Sequence, residues 1–155
     1  MSDEILRHLL ATIAYRFHSA VGDLDEDFAA FDPGHDARSP ARLVAHCVQV
    51  LHRARRSFEP GAASPNVRKM DWDALRDALH EELRALDGHL ERGDPAHDLD
   101  RLRMLQGPFA DVLTHIGQLN LLRRLEGSPA PAQSYPRAPV EIGRLGADQG
   151  PPVVS

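Results

Sequence analysis

The sequence predicts an all-α protein, an antiparallel four-helix bundle followed by a proline-rich C-terminal tail. Four segments carry apolar residues at the three- and four-residue spacing of a helix. Stretches rich in turn-forming residues separate these segments, and the alternating pattern of a strand is almost absent. The length of 155 residues suits one domain with one hydrophobic core.

The first two helices are predicted over residues 3–21 and from about residue 40 to residue 58. The stretch between them, FDPGHDARSP, contains a Pro-Gly turn. Its closing Ser-Pro pair is typical of an N-cap followed by proline in the first helical turn. Leu24 and Phe28 either extend the first helix or pack just beyond it.

The third helix is predicted over residues 71–90, where leucines recur at helical spacing. Residues 98–106 are predicted to form a short helical turn that leads into the fourth helix. Pro108 suits the first turn of that helix, which is expected to end at residue 125 or 126. Gly127 then suits the left-handed position that commonly follows a helix.

The last 28 residues contain six prolines, a density that no regular element tolerates. We therefore expect two regions, a helical domain over residues 1–127 and a tail over residues 128–155. Four apolar side chains could hold part of the tail against the helices as a partly ordered strap. They are Tyr135, Val140, Ile142 and Leu145.

The composition argues against nucleic acid and membranes as partners. Lys and Arg total 18 and Asp and Glu total 23, so the net charge of −5 leaves no basic surface. The run Arg53, Arg55, Arg56 is interpreted as a solvated helix end. No apolar run approaches the ~18 residues of a membrane helix, and MSDEILRHLL lacks a signal-peptide pattern. Cys47 is the one cysteine, which favours a reducing, cytoplasmic location.

The fourth predicted helix carries a stripe of polar residues. Asp111, His115 and Gln118 recur at i, i+4 and i+7, and Leu122 and Leu125 continue the same stripe. Leucines on this face are expected to be buried. Polar groups that share the face must then be hydrogen-bonded, paired or bound to a metal.

This spacing predicts a metal site. Asp111 and His115 stand one turn apart and can chelate one ion, to which they offer an oxygen and a nitrogen. Both atoms suit a divalent ion such as Zn²⁺ or Ni²⁺. A third ligand must come from another helix, and His46 is the candidate because it borders the apolar face of the second helix.

Other interpretations stay open. An inward histidine is often a hydrogen-bonded core residue, and an acid–imidazole pair at i, i+4 is also an ordinary helix contact. Cys47 points about 100° away from His46, into the apolar side, and is expected to be a core residue. Most of the remaining histidines are predicted to lie on the surface or in loops. They are His8, His18, His35, His52, His80, His89 and His97.

Three segments resemble the DinB-like superfamily, whose fold is also called the YfiT-like metal-dependent hydrolase fold. SPARLVAH, residues 39–46, is similar to the start of that family's second helix, which ends in a metal-ligand histidine. DVLTHIGQLNLLRR, residues 111–124, is similar to its fourth-helix motif of His-x-x-x-His followed by Gly-Gln and basic residues. LEGSP, residues 125–129, is similar to its helix exit.

The resemblance implies a metal site of His46, Asp111 and His115, with Gln118 as a partner that orients a ligand or bound water. Asp111 stands where the family has its first histidine, and aspartate is also a ligand for zinc or nickel. The resemblance further implies a homodimer. In some members it implies a low-molecular-weight thiol, such as mycothiol or bacillithiol, as cosubstrate.

Two functions are therefore expected from the sequence. The first is a metal-dependent transferase or hydrolase, in which a metal-activated thiol or water attacks a small-molecule substrate. The second is a non-catalytic protein of the same fold, whose metal site is structural or lost, acting in dimerisation or small-molecule binding. The replacement of a family histidine by Asp111 keeps this second possibility open.

Overall fold

A computed structural model gives the fold and describes residues 2–154. Four long helices dominate it, and no strand occurs within that range. The all-α prediction is confirmed. The long helices are α1 (Asp3–Val21), α3 (Pro40–Arg56), α4 (Trp72–Glu91) and α6 (Ala110–Glu126), with short helices α2 (Glu26–Ala29) and α5 (Arg101–Met104) between them.

The helix ends follow the sequence signals closely. The side chain of Ser39 caps α3 by accepting from the Arg42 backbone N–H at 3.4 Å, and Pro40 occupies the first turn. Asp71 caps α4 by accepting from the Ala74 N–H at 2.8 Å. Gly127 ends α6 with φ of 106°, a left-handed conformation that a residue without a Cβ adopts readily.

The start of the last helix differs from the prediction. Helical structure begins at Arg101 in α5 and continues through a π-helical segment, Leu105–Phe109, directly into α6. Pro108 therefore lies inside a continuous helical path rather than at its first turn. Proline cannot donate a backbone hydrogen bond, and the wider π turn accommodates this loss.

The four long helices surround one hydrophobic core. α1 packs against α4 and α6, and α3 packs against the same two helices. Buried apolar side chains from all four meet between them, and Phe28 of α2 is buried beside Trp72 at one end. None of the helices in residues 2–154 combines the length and the apolar character that a membrane crossing requires.

Two of the four contacting helix pairs run in opposite directions. Arg7, early in α1, donates to Asp87, late in α4, at 2.8 Å. Arg76, early in α4, donates to the carbonyl of Val21 at the end of α1. α3 and α6 are also antiparallel, because Leu43 at the start of α3 shares a cavity with Leu122 near the end of α6.

The other two pairs run in the same direction, so the prediction of a fully antiparallel arrangement is wrong for them. Asp3 at the start of α1 pairs with Arg101 at the start of α5, while Asp23, just beyond α1, pairs with Arg123 near the end of α6. α3 and α4 are likewise parallel, because Glu59, just beyond the end of α3, lies 3.7 Å from His89 near the end of α4. The reason is the 57–71 connection, which is long enough to return the chain along the length of α3.

The segment after α6 contacts α1. The hydroxyl of Tyr15 donates to Oε1 of Gln133 at 2.7 Å. The guanidinium of Arg16 lies over the ring of Tyr135, 3.8 Å from its centroid. Leu145 is 5% exposed and joins the hydrophobic core.

Candidate metal centre

Helices α3 and α6 bring three ligand-bearing side chains together. His46 comes from the second turn of α3, and Asp111 and His115 come from the first two turns of α6. One ligand atom from each lies within 4.8 Å of the others, and this cluster could hold a metal ion. It is the one such group of three or more among the residues that the structure describes.

The carboxylate of Asp111 lies close to both imidazoles. Its Oδ2 is 3.4 Å from Nε2 of His46, and its Oδ1 is 3.4 Å from Nε2 of His115. The two rings stand perpendicular, with their centroids 4.8 Å apart. Both imidazoles therefore present the same nitrogen toward one carboxylate.

These separations are longer than an ordinary hydrogen bond. N–H···O bonds in proteins measure about 2.7–3.2 Å between heavy atoms. The two contacts of 3.4 Å join different oxygens of Asp111 to the two imidazoles. The carboxylate therefore lies near both rings without a short bond to either.

Gln118 contacts the ring of His115. Its Oε1 lies 2.9 Å from Nδ1 of His115. An amide oxygen accepts hydrogen bonds, so this contact suits a ring that carries a proton on Nδ1. Nε2 of the same ring faces the Asp111 carboxylate. A residue placed as Gln118 is can orient a histidine that binds a metal through Nε2.

His46 is held in the neutral form that binds metals. Burial lowers the pKa of His46, and the positive charge of Arg38 and the neighbouring His115 lower it further. Asp111 acts in the opposite direction but less strongly. A neutral imidazole keeps the nitrogen lone pair that coordination requires.

The cluster is partly open to solvent. The side chain of His115 is 12% exposed, that of His46 26%, and that of Asp111 44%. A small molecule can therefore approach from the Asp111 side. A structural metal site is usually closed by four protein ligands, whereas a site with three protein ligands and an open approach is typical of catalytic metal centres.

A cavity lies on each side of the cluster along the seam between α3 and α6. The larger, about 550 Å³, includes Asp111 in its lining and lies toward the start of α6. The other, about 450 Å³, includes His115 and Gln118 and lies toward the end of α6. The cluster therefore stands between two spaces of the size that small-molecule sites occupy.

Cys47 is a core residue, as the sequence predicted. It is 1% exposed, and burial raises the pKa of its thiol to about 12. A thiolate is the nucleophilic form of cysteine, and this environment disfavours it. Cys47 therefore does not supply a nucleophile to the adjacent cluster.

Two of the other histidines lie in the interior and not at the surface as expected. His52 is 4% exposed, and its Nδ1 lies 3.1 Å from Oε1 of the equally buried Glu82. His80 is 5% exposed and packs edge-on against Phe17. In an amphipathic helix a histidine at the margin of the apolar face can be drawn inward when a neighbouring helix offers a partner or an apolar surface.

One residue near the cluster was not recognised from the sequence. Arg53 was grouped with Arg55 and Arg56 as a solvated helix end. It is exposed, as that interpretation expects, and it also lines the larger cavity together with Asp111. A signal for this was present. Arg53 stands seven residues after His46, and residues at i and i+7 share one face of a helix.

Comparison with known proteins gives no match. No protein-family model, no curated protein sequence and no solved structure matches this chain.

Proposed function

We propose that this protein is a four-helix bundle of the DinB-like type that binds one divalent metal ion, zinc or nickel, through His46, Asp111 and His115. We further propose that it serves in a transferase or hydrolase reaction on a small molecule. The observation that supports the metal site most is the convergence of His46, Asp111 and His115 from two helices, with one ligand atom from each within 4.8 Å of the others.

The protein's own residues have distinct roles in this proposal. His46 and His115 provide neutral nitrogen ligands, and Asp111 provides the charged ligand that offsets part of the ion's charge. Gln118 holds the His115 ring in the tautomer that coordinates. A divalent ion bound there lowers the pKa of a thiol or water molecule bound to it, which supplies a nucleophile near neutral pH.

The two flanking cavities favour a transferase over a hydrolase. Transfer from a low-molecular-weight thiol needs space for the thiol compound and for its electrophilic partner on either side of the reacting atoms. The cavity at Asp111 and the cavity at His115 provide two such spaces. Hydrolysis needs only one of them in addition to water.

The first test is the metal content of the full chain purified without chelator, measured by elemental analysis. We expect one zinc or nickel per chain, lost in His46→Ala and in His115→Ala. His8→Ala, an exposed histidine on α1, is the matched control and should keep full occupancy. Full occupancy in His115→Ala would contradict the site.

Cobalt substitution then tests the ligand set. Co²⁺ bound by three protein ligands and solvent gives visible absorption bands that depend on its coordination. We expect Gln118→Ala to keep these bands but to weaken metal affinity roughly 10–100-fold, as loss of an orienting partner does. Metal binding without turnover in any pairing of thiol and electrophile would favour the non-catalytic alternative.

A further inference from the structure

We propose that the cavity beside Asp111 binds a small organic anion, a carboxylate on an apolar body, and that Arg53 holds its charged end. This inference deepens the proposed function, because it takes Asp111 as the end of the cavity where the reaction occurs. It names the class of substrate that the site would take.

The lining of this cavity combines an apolar surface with one cation. Arg53 and Asp111 are the charged residues among those that line it. Asp111 belongs to the metal cluster, so Arg53 remains as the charge available to a ligand. The rest of the lining is apolar or neutral and includes Val50, Ala54 and Leu99. A pocket of mainly apolar surface with few polar groups is typical of small-molecule sites.

Arg53 has no acidic partner within residues 2–154. Its neighbour Arg55 pairs with Glu59 at 2.9 Å and approaches Glu82 at 3.6 Å, whereas no hydrogen bond or ion pair involves Arg53. Its guanidinium therefore keeps all five N–H donors for a ligand. This group matches the two oxygens of a carboxylate in a paired geometry.

The positive charge of Arg53 beside the cavity is reinforced by a neighbouring arginine, Arg56. Arg53 also lines an adjacent cavity of about 220 Å³, together with Arg56, and no acidic residue lines that smaller space. The whole chain carries a net charge of −5, so this local excess of positive charge stands against the average of the surface. It would draw an anion toward the mouth of the larger cavity.

The π-helical segment forms the facing wall. Gln106, Gly107 and Pro108 all line the cavity. π turns inside helices occur frequently at functional sites. A Cβ added to Gly107 would meet nothing within 4 Å, so the backbone borders open space there. A larger side chain at this position would extend into that space.

The distance between Arg53 and the metal cluster, at the two ends of the cavity, sets the size of the ligand. Arg53 lies seven residues beyond His46 on α3, which corresponds to about 10 Å along the helix axis. The arginine side chain can bend back over part of that span. A single ring that carries a carboxylate is shorter than this axial separation, and we take it as the size of the ligand.

The test uses benzoate and its neutral analogue benzamide as probes. Both are titrated into the metal-free and the zinc-loaded full chain, and binding is followed by amide chemical shifts. We expect the metal-free wild-type protein to bind benzoate roughly tenfold more tightly than benzamide, as a charge-assisted hydrogen bond provides. Arg53→Gln should remove this preference and leave benzamide binding unchanged.

Two further variants control the result. Arg56→Gln removes a neighbouring arginine that does not line the larger cavity, and it should keep most of the preference for benzoate, because Arg56 acts there only through its charge at a distance. Gly107→Leu should weaken both probes together, because it fills the shared space. An unchanged preference in Arg53→Gln, or no binding of benzoate to the wild-type protein, would overturn the inference.

The outcome separates this inference from the proposed function. If zinc does not bind but the metal-free protein prefers benzoate through Arg53, the metal centre fails and the anion site stands. If zinc binds as expected but Arg53→Gln leaves the preference unchanged, the anion site fails and the metal centre stands. Any preference that appears only with zinc, and persists in Arg53→Gln, reflects binding of benzoate to the ion and counts against Arg53.

Discussion

His80 illustrates at the residue scale how burial alters a titrating group. Burial lowers the pKa of His80 to about 4, and the positive charge of Arg84 adds to this effect while Asp77 opposes it. Nε2 of His80 has no hydrogen-bond partner among the described residues. The folded protein therefore keeps this ring neutral against the face of Phe17.

The pKa of His80 makes stability depend on pH. In the unfolded chain the His80 side chain has an ordinary histidine pKa of about 6.5 and is protonated below that pH. In the folded state the same side chain is protonated only below about pH 4. The free energy of unfolding should therefore fall as pH drops from 6.5 toward 4, by about 2–3 kcal/mol. Urea unfolding at several pH values measures this. His80→Leu should flatten the dependence, whereas His8→Gln, an exposed histidine, should not.

At the scale of elements, α6 is attached to α1 through one buried arginine. Arg123 is 5% exposed, and its guanidinium donates to both carboxylate oxygens of Asp23 at 2.8 Å. It also donates to the carbonyls of Ala20 and Ser128.

The same packing of α6 on α1 explains why Leu125, expected in the interior, is 62% exposed. Leu125 lies about 200° around the helix from Arg123 and faces away from α1.

Arg123→Ala should destabilise the fold strongly. It leaves the carbonyl of Ala20 and the carboxylate of Asp23 without their donor, and removing one partner of a buried pair costs about 3–5 kcal/mol. We expect about 2–4 kcal/mol, because the side chain of Asp23 is 67% exposed and can be rehydrated. Arg124→Ala, an exposed neighbour, is the control and should change the free energy of unfolding by less than about 0.5 kcal/mol.

At the scale of the whole molecule, the directions of the helices decide which residues meet. α3 runs opposite to α6 and places His46 beside Asp111 and His115. The same antiparallel seam puts one cavity on each side of the cluster, and Arg53 lines the one that Asp111 borders. A different docking of the same four helices would separate these side chains.

The homodimer that the resemblance implies stays a prediction at this scale. Leu121 and Leu125 stand one turn apart on α6 and are 56% and 62% exposed. Light scattering coupled to size exclusion should give a mass twice the 17.1 kDa of the chain. A mass of one chain across a wide range of protein concentrations would contradict the dimer.

Much of the local structure follows from the sequence by itself. The caps at Ser39 and Asp71, the left-handed Gly127 and the face shared by Asp111 and His115 all depend on interactions within a few residues. Such interactions are set by helix periodicity and by the hydrogen bonds of neighbouring residues, which a sequence pattern records directly. The choice of His46 as a third ligand followed from its place at the edge of the apolar face of the second helix, and the resemblance implied the same residue.

Only the tertiary structure decided the parallel pairs of helices, the burial of His52, His80 and Arg123, and the cavity at Arg53. Each of these depends on contacts between residues far apart in the chain. The free energy of such contacts comes from apolar surface buried jointly by several helices, and polar side chains at the margin are buried where another helix can satisfy them. No single helix carries that information, because it exists only where helices meet.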